Sequence, residues 1–183
     1  IPIKATFMKM IRLVRDLSKK SGKLVRLEMS GEDTEIDRNV VDALYDPMVH
    51  MIRNAVDHGI EDSDTRSKAG KPGEGTILLS AYHKGGNIII EIEDDGKGLD
   101  KDKIIEKALQ KGLLSSSDQL TDAQIFNLIL QPGFSTAQII SDVSGRGVGM
   151  DVVKDGIEKF RGHLNIHSQK GKGTRFTISL PLT

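Results

Sequence analysis

The sequence predicts an α/β (α+β) two-layer sandwich, a mixed and mostly antiparallel sheet with helices on one face. Helical and strand segments are interspersed along the 183 residues without the regular alternation that builds a doubly wound parallel sheet. Two pairs of strand-like segments meet at Gly85-Gly86-Asn87 and at Gly171-Lys172-Gly173, and short glycine connections of this kind join antiparallel neighbours. Phe7, Met10, Ile11, Val14 and Leu17 recur at helical spacing, which gives a basic helix over residues 1–20 one apolar face to bury.

The remaining elements follow in order. Ser21-Gly22-Lys23 ends the first helix and Leu24–Met29 alternates as a strand. Asp37 is placed to cap a helix through Val40, Val41 and Leu44, and Asp46-Pro47 restarts it, because proline suits a first helical turn. That second helix is expected to stop at Gly59. Glu61–Gly70 reads as a polar segment without an element of its own. Gly75–His83 and Ile88–Glu93 form the first hairpin. Helices are expected at about Lys101–Gln110, Asp122–Leu130 and Asp151–Phe160, with Pro132–Gly149 a long loop rich in glycine and serine. His163–His167 and Thr174–Leu180 close the sheet. One domain accounts for the length, with helix 1–20 at its boundary. Folding at this size buries roughly 70% of the unfolded surface.

Composition excludes several function classes. Lysine plus arginine equals aspartate plus glutamate at 26 each, whereas a general nucleic-acid surface needs a basic excess. Aromatic residues make up 4% of the chain, too few for base-stacking platforms. With no cysteine there is no disulfide or thiolate metal site, in keeping with a reducing compartment. No apolar run approaches the ~20 residues of a membrane span. The absence of a signal peptide, and of a methionine at position 1, reads as a cytoplasmic piece of a longer protein.

Three stretches carry chemistry. In His50-Met51-Ile52-Arg53-Asn54-Ala55-Val56-Asp57-His58, helical rotation gathers His50, Asn54, Asp57 and His58 on one side. That face is either simply solvated or functional. Functionally, the Asn54 amide oxygen suits a hard cation such as Mg²⁺, and the imidazoles suit phosphate oxygens. A zinc site using His50 and His58 is a third option, but they stand two turns apart without the usual i, i+4 partners. In Asp94-Asp95-Gly96-Lys97-Gly98, after a buried strand, a carboxylate and two glycines admit a flat ligand bearing an amine, or else form an ordinary turn. In Gly145-Arg146-Gly147-Val148-Gly149-Met150, a glycine-rich loop runs into a helix, a natural anion site that matches neither the P-loop nor the dinucleotide fingerprint. Gly173-Thr174 opens the last strand.

In this order the residues resemble the ATPase family of gyrase, Hsp90, histidine kinases and MutL, whose Bergerat-type nucleotide-binding fold has an unusual left-handed βαβ unit. Asn54 resembles the N box, Asp94-x-Gly96-x-Gly98 the G1 box, Pro132–Thr136 the F box, Gly145–Gly149 the G2 box and Gly173-Thr174 the final element. Within the family the likeness is strongest to the chemotaxis histidine kinases and covers the whole chain, including Arg12–Leu17 and Gly31–Asp37.

The resemblance implies ATP and Mg²⁺ as cofactors. It also implies γ-phosphoryl transfer to a histidine on a separate phosphotransfer domain, in trans within a dimer, in two-component signalling. Receptor and adaptor proteins would be reached through flanking domains, at membrane receptor arrays. Asp94 would accept the adenine amino group and Gly98 would give the ring room. Asn54 would hold Mg²⁺, and His58, Lys103 and Lys107 would contact phosphate. Asp57, Gly96, Phe134, Ser135 and Thr174 complete the nucleotide site. Gly145, Arg146, Gly147, Val148, Gly149 and Met150 belong to a mobile lid expected over residues 112–149. His50 stands where related proteins carry a glutamate, so it would orient the acceptor or steady the γ-phosphate and hydrolysis would be slow. The rivals are an ATPase clamp of the same fold and a non-catalytic nucleotide-binding module.

Overall fold

The chain is described by a computed structural model covering residues 1–116, 119–134 and 149–182. Five strands form one sheet in the order β1-β2-β3-β5-β4. They are β1 (Val25–Ser30), β2 (Gly75–Lys84), β3 (Asn87–Asp94), β4 (His163–Gln169) and β5 (Gly173–Pro181). Only β1 and β2 are parallel, joined by a helical crossover, and every other pairing is antiparallel. The two glycine hairpins expected from the sequence are therefore the β2–β3 and β4–β5 turns.

Alternation along the strands makes the sheet two-faced. Ile77, Leu79, Ile90, Ile92, Ile178 and Leu180 are buried on one face. Arg26, Glu28, Glu91 and Arg175 lie on the other, where Arg26 pairs with Glu28 and Arg175 with Glu91. Helices α1 (Lys4–Ser21) and α2 (Arg38–Asn54) and helix α6 (Met150–Glu158) contribute to the same core as the apolar sheet face. The short α3 (Ser63–Lys68), α4 (Lys101–Gln110) and α5 (Asp122–Asn127) complete the helices.

Helix α1 contributes to this core. Phe7, Met10, Val14 and Leu17 are buried in it, and the helix closes on Gly22 in the left-handed conformation. Ile11, beside that stripe, is half-buried.

Two expectations about the second helix are corrected. Pro47 does not restart it but lies inside one continuous α2 that Asp37 caps by accepting the Asn39 N–H at 2.8 Å. Proline there removes one intrahelical bond. The unbroken buried stripe of Val41, Leu44, Met48, Met51 and Ile52 holds the helix together across the gap. Gly156 of α6 sits over Pro47, where a Cβ would stand 3.5 Å from Pro47 Cγ. The end at Gly59 is as expected, but the last turn, Ala55–Gly59, widens into a π-helical turn closed by Ile60 N–H donating to Ala55 O at 2.7 Å.

Glu61–Gly70 contains a short helix, α3, with Asp62 accepting the Thr65 N–H at 2.8 Å. Residues 122–130 start as α5, with a Thr121–Gln124 capping box, and tighten to a 3₁₀ turn over Leu128–Leu130. Ile125, Phe126 and Leu130 are buried, so this part of the expected 112–149 lid is anchored in the core. His83, His163 and His167 are exposed strand residues.

Because Phe7 is fully buried, Phe7→Ala should lower stability by about 3–5 kcal/mol. Urea unfolding should show a lower midpoint with little change in slope. A loss below about 1 kcal/mol is what a detached α1 would give.

Candidate nucleotide site

Asp94 ends β3 on the buried face of the sheet, 8% exposed, level with Thr174 on β5 and Ile77 on β2. Its Oδ1 accepts the Gly96 N–H at 2.9 Å. Burial pushes the carboxyl up to about 6, against hydrogen bonds from the backbone of Gly96 and Thr174 that favour the charged form, while Asp95 and Glu61 add to the rise. A carboxylate held this dry is an acceptor waiting for a donor.

The walls around Asp94 are backbone. A Cβ on Gly96 would collide with the Gly59 carbonyl, and one on Gly98, at φ +74°, would collide with the Gln169 carbonyl. A Cβ on Gly59 would stand 3.4 Å from Asp94 Oδ2. At these positions glycine lets backbone segments approach one another and the carboxylate closely, with no side chain between them. Lys97 N–H donates to Gly59 O at 2.9 Å and Gly171 N–H to Lys97 O at 2.6 Å, tying the loop after β3 to the end of α2 and to the β4–β5 hairpin.

Beneath that loop lies a charge cluster that sequence reasoning missed. Arg66 of α3 is 0% exposed. Its guanidinium donates to Glu61 Oε1 at 3.0 Å, Asp95 Oδ2 at 3.0 Å, the Asp95 carbonyl at 3.1 Å and the Pro72 carbonyl at 2.7 Å. Lys71 Nζ donates to Glu61 Oε2 at 2.8 Å and to the carbonyls of Asp95 (3.1 Å) and Gly96 (2.8 Å). Burial raises the Glu61 carboxyl, but the hydrogen bonds from Lys71 and the backbone, with the charges of Lys71 and Arg66, outweigh it and leave the group below its ordinary value. The Asp62 cap was the available signal for α3. Nothing in the sequence marks an arginine as buried, since arginine is mostly a surface residue.

The second half of the site is the end of α2. Asn54 Nδ2 lies 3.2 Å from His50 Nε2 and 3.7 Å from Met150 Sδ, at the first turn of α6. Both contacts use the amide nitrogen, which leaves the oxygen for another partner. Burial lowers the His50 pKa, the charge of Arg53 lowers it further, and Asp151 opposes them. A neutral imidazole accepting at Nε2 fits the Asn54 contact. Lys23 Nζ donates to Val56 O (2.7 Å) and Asp57 O (3.1 Å), so carbonyls of the π turn find a cation. The side chains of Asp57 and His58 on that turn are exposed.

The expected residues thus fall into two adjoining groups, Asp94, Gly96, Gly98 and Thr174 at the sheet end and His50, Asn54, Asp57, His58 and Met150 at the helix ends. Gly59 joins the two. On α4, Lys103 is exposed, whereas Lys107 Nζ stands 4.7 Å above the Phe134 ring. Burial and the nearby Lys111 lower the Lys107 pKa. Gly149 is the residue before α6. Ser135, Gly145, Arg146, Gly147 and Val148 lie outside the described residues.

Between pH 3.8 and about 6 the folded chain keeps a proton on Asp94 that the unfolded chain has released, so this group's contribution to stability falls as pH rises through the window. Asp94→Asn should therefore be more stable than the parent at pH 7.5, by up to about 3 kcal/mol, with most of the gain lost at pH 4. Urea unfolding at both pH values measures this, and a variant less stable at pH 7.5 would contradict it.

Comparison with known proteins agrees with this geometry. Residues 43–183 match the family described as histidine kinase-, DNA gyrase B-, and HSP90-like ATPase. The whole chain is 48% identical to the chemotaxis protein CheA of Bacillus subtilis (strain 168), and 99% of it is 52% identical to that of Cereibacter sphaeroides. It spans 28% and 26% of the lengths of those relatives. The histidine kinase domain of the Erythrobacter litoralis EL346 blue-light activated kinase is similar in fold, with a TM-score of 0.57 at 15% identity over all of this chain and 66% of that one. Residues 1–42, which form α1, β1 and the start of α2, precede the family match but fall within the likeness to B. subtilis CheA. The chain belongs to the histidine kinase-, DNA gyrase B- and HSP90-like ATPase family, and it is an ATP-binding domain of that family.

Proposed function

We propose that the chain binds Mg²⁺–ATP and delivers its γ-phosphoryl group to a histidine on a separate phosphotransfer domain in bacterial chemotaxis signalling, the whole chain acting as one catalytic domain. The observation that carries the reading is Asp94, a dry acceptor bordered by glycines that place no side chain beside it. An exocyclic amine beside it would supply a further donor. The near-50% identity to CheA proteins of two bacteria directs the reading towards chemotaxis.

The residues fit the metal as well. With Asn54 Nδ2 committed to His50 and Met150, its amide oxygen is the group suited to Mg²⁺. The metal would neutralise charge on the transferring phosphoryl group, and the protein's share is positioning. His58 on the exposed π turn, Lys103 and Lys107 are the candidate phosphate contacts, Lys107 after leaving the Phe134 ring. His50 has its Nε2 engaged by Asn54 and is poorly placed to activate water. That favours transfer over the rival reading, an ATPase clamp. The phosphotransfer domain, and receptor and adaptor proteins reached through other domains, are the proposed partners. No described helix is long and apolar enough to cross a membrane, and the proposed location is the cytoplasmic side of receptor arrays.

Calorimetric titration with a non-hydrolysable ATP analogue tests the reading. Binding should strengthen with Mg²⁺, fall at least about tenfold in Asp94→Asn, and lose its Mg²⁺ dependence in Asn54→Ala. Affinity should also fall as pH drops below about 6, where Asp94 gains a proton and becomes a weaker, uncharged acceptor. His50→Gln should bind the analogue normally yet transfer at least about tenfold more slowly to an added phosphotransfer domain. Binding by Asp94→Asn equal to the parent would remove the nucleotide reading. Rapid phosphate release without an acceptor would favour the ATPase.

A further inference from the structure

Ser168 has no role in the reading above, yet three hydrogen bonds converge on its hydroxyl at the edge of the Asp94 pocket. Asp94, Thr174 and Ser168 form a row across β3, β5 and β4, Asp94 paired with Thr174 and Thr174 with Ser168. Leu99 N–H donates to Ser168 Oγ at 2.8 Å, Ser168 Oγ donates to the Gly173 carbonyl at 3.0 Å, and the Ser168 and Thr174 hydroxyl oxygens are 2.9 Å apart. A serine hydroxyl carries one proton and two acceptor lone pairs. The proton goes to Gly173 O and one lone pair takes the Leu99 N–H. The remaining lone pair can only accept, so the third bond is donated by Thr174. No other assignment satisfies all three contacts at once.

We propose that Ser168 is a positioning residue for base selection: by holding the Thr174 proton it leaves Thr174 Oγ1 as an acceptor only, beside the Asp94 carboxylate. The inference rests on Asp94 being the acceptor for the base. A 6-amino purine brings two N–H donors on one nitrogen to this edge, whereas a 6-oxo purine brings a single donor, its N1–H, and sets its 6-oxygen against the remaining acceptor. Asp94 alone discriminates poorly near its pKa of about 6, because its protonated form can donate to an oxo group. Thr174 has no such alternative while Ser168 holds its proton.

The test is the ratio of dissociation constants for inosine triphosphate, the 6-oxo analogue, and ATP, measured on the full chain at pH 7.5. In Ser168→Ala the Thr174 proton is released to donate, and the ratio should fall about tenfold. Ser168→Thr keeps a hydroxyl and should keep the parent ratio. A merely structural loss weakens both nucleotides together, and an unchanged ratio in Ser168→Ala overturns the inference while the nucleotide reading stands. Failure of the unaltered chain to bind ATP would instead remove the nucleotide reading itself. Should Ser168→Ala not fold, proton NMR of the unaltered chain decides. A slowly exchanging Thr174 hydroxyl proton close to the Ser168 β-protons, and unmoved by ATP, supports the assignment. Transfer of that proton's contact to the base overturns it.

Discussion

The guanidinium of Arg66, with Lys71 beside it, holds together parts of the chain that are distant in sequence. From one buried position it binds Glu61, the Pro72 carbonyl, and both the side chain and the carbonyl of Asp95. Asp95 in turn accepts the Thr76 N–H at 2.9 Å, so the loop after β3 is pinned to the start of β2. Asp94 is the next residue back along the chain. Its carboxylate cannot drift while Asp95 is held on three sides and Gly96 is held through its carbonyl by Lys71. An apolar replacement could be as stable, because buried ion pairs recover little more than their desolvation cost. What the charged cluster adds is direction. Five donors in a rigid plane fix carbonyls and carboxylates at set angles, and the geometry beside Asp94 depends on those angles.

The other half of the site is set by a local departure from α-helical geometry. Where α2 widens at Ala55–Gly59, the extra residue in the turn alters the angular relation of Asp57 and His58 to His50 and Asn54. His50 and Asn54 stay half-buried against α6, and the next two polar residues are left exposed. π turns put strain into a helix and tend to sit at functional sites. Here the Lys23 ammonium, from the loop after α1, offsets part of that cost by binding the Val56 and Asp57 carbonyls. Helix α1 and that loop lie before the family match, and their contribution to the site is made through the backbone of this turn.

The sheet, both hairpins and five of the helices were legible because each has a strong local signal. Glycine pairs mark the turns and with them the β2–β3 hairpin, period-2 alternation marks β1, and Lys101–Gln110 is bounded as expected, with Asp100 capping it. The candidate residues were legible as types in order. Asn54, Asp94 and the glycines announce themselves by being poor choices for an ordinary helix face or strand end. Three things were not legible. Pro47 looked like a boundary because its local preference is clear, while the buried stripe that overrides it is a tertiary fact. α3 was too short and polar to show periodicity. Arg66 reads as a solvated charge until Glu61, Lys71 and Asp95 are seen to surround it, and those partners are 5 to 29 residues away in sequence. Ser168 is hidden for the same reason, since its importance is a count of bonds and not a motif.

The Asp94 pocket also shows why the site is worth less to stability than its surroundings. At neutral pH the chain carries a desolvated carboxylate with only backbone N–H groups to steady it. One ordinary change, a neutral side chain at 94, would relieve the cost, but it would also remove the acceptor, and such conflicts between local stability and site geometry mark functional positions. On the proposed reading the further donor is part of the ligand. An amine beside Asp94 would complete the hydrogen bonding that folding left unfinished, and part of the stability forgone there would become binding energy for the base.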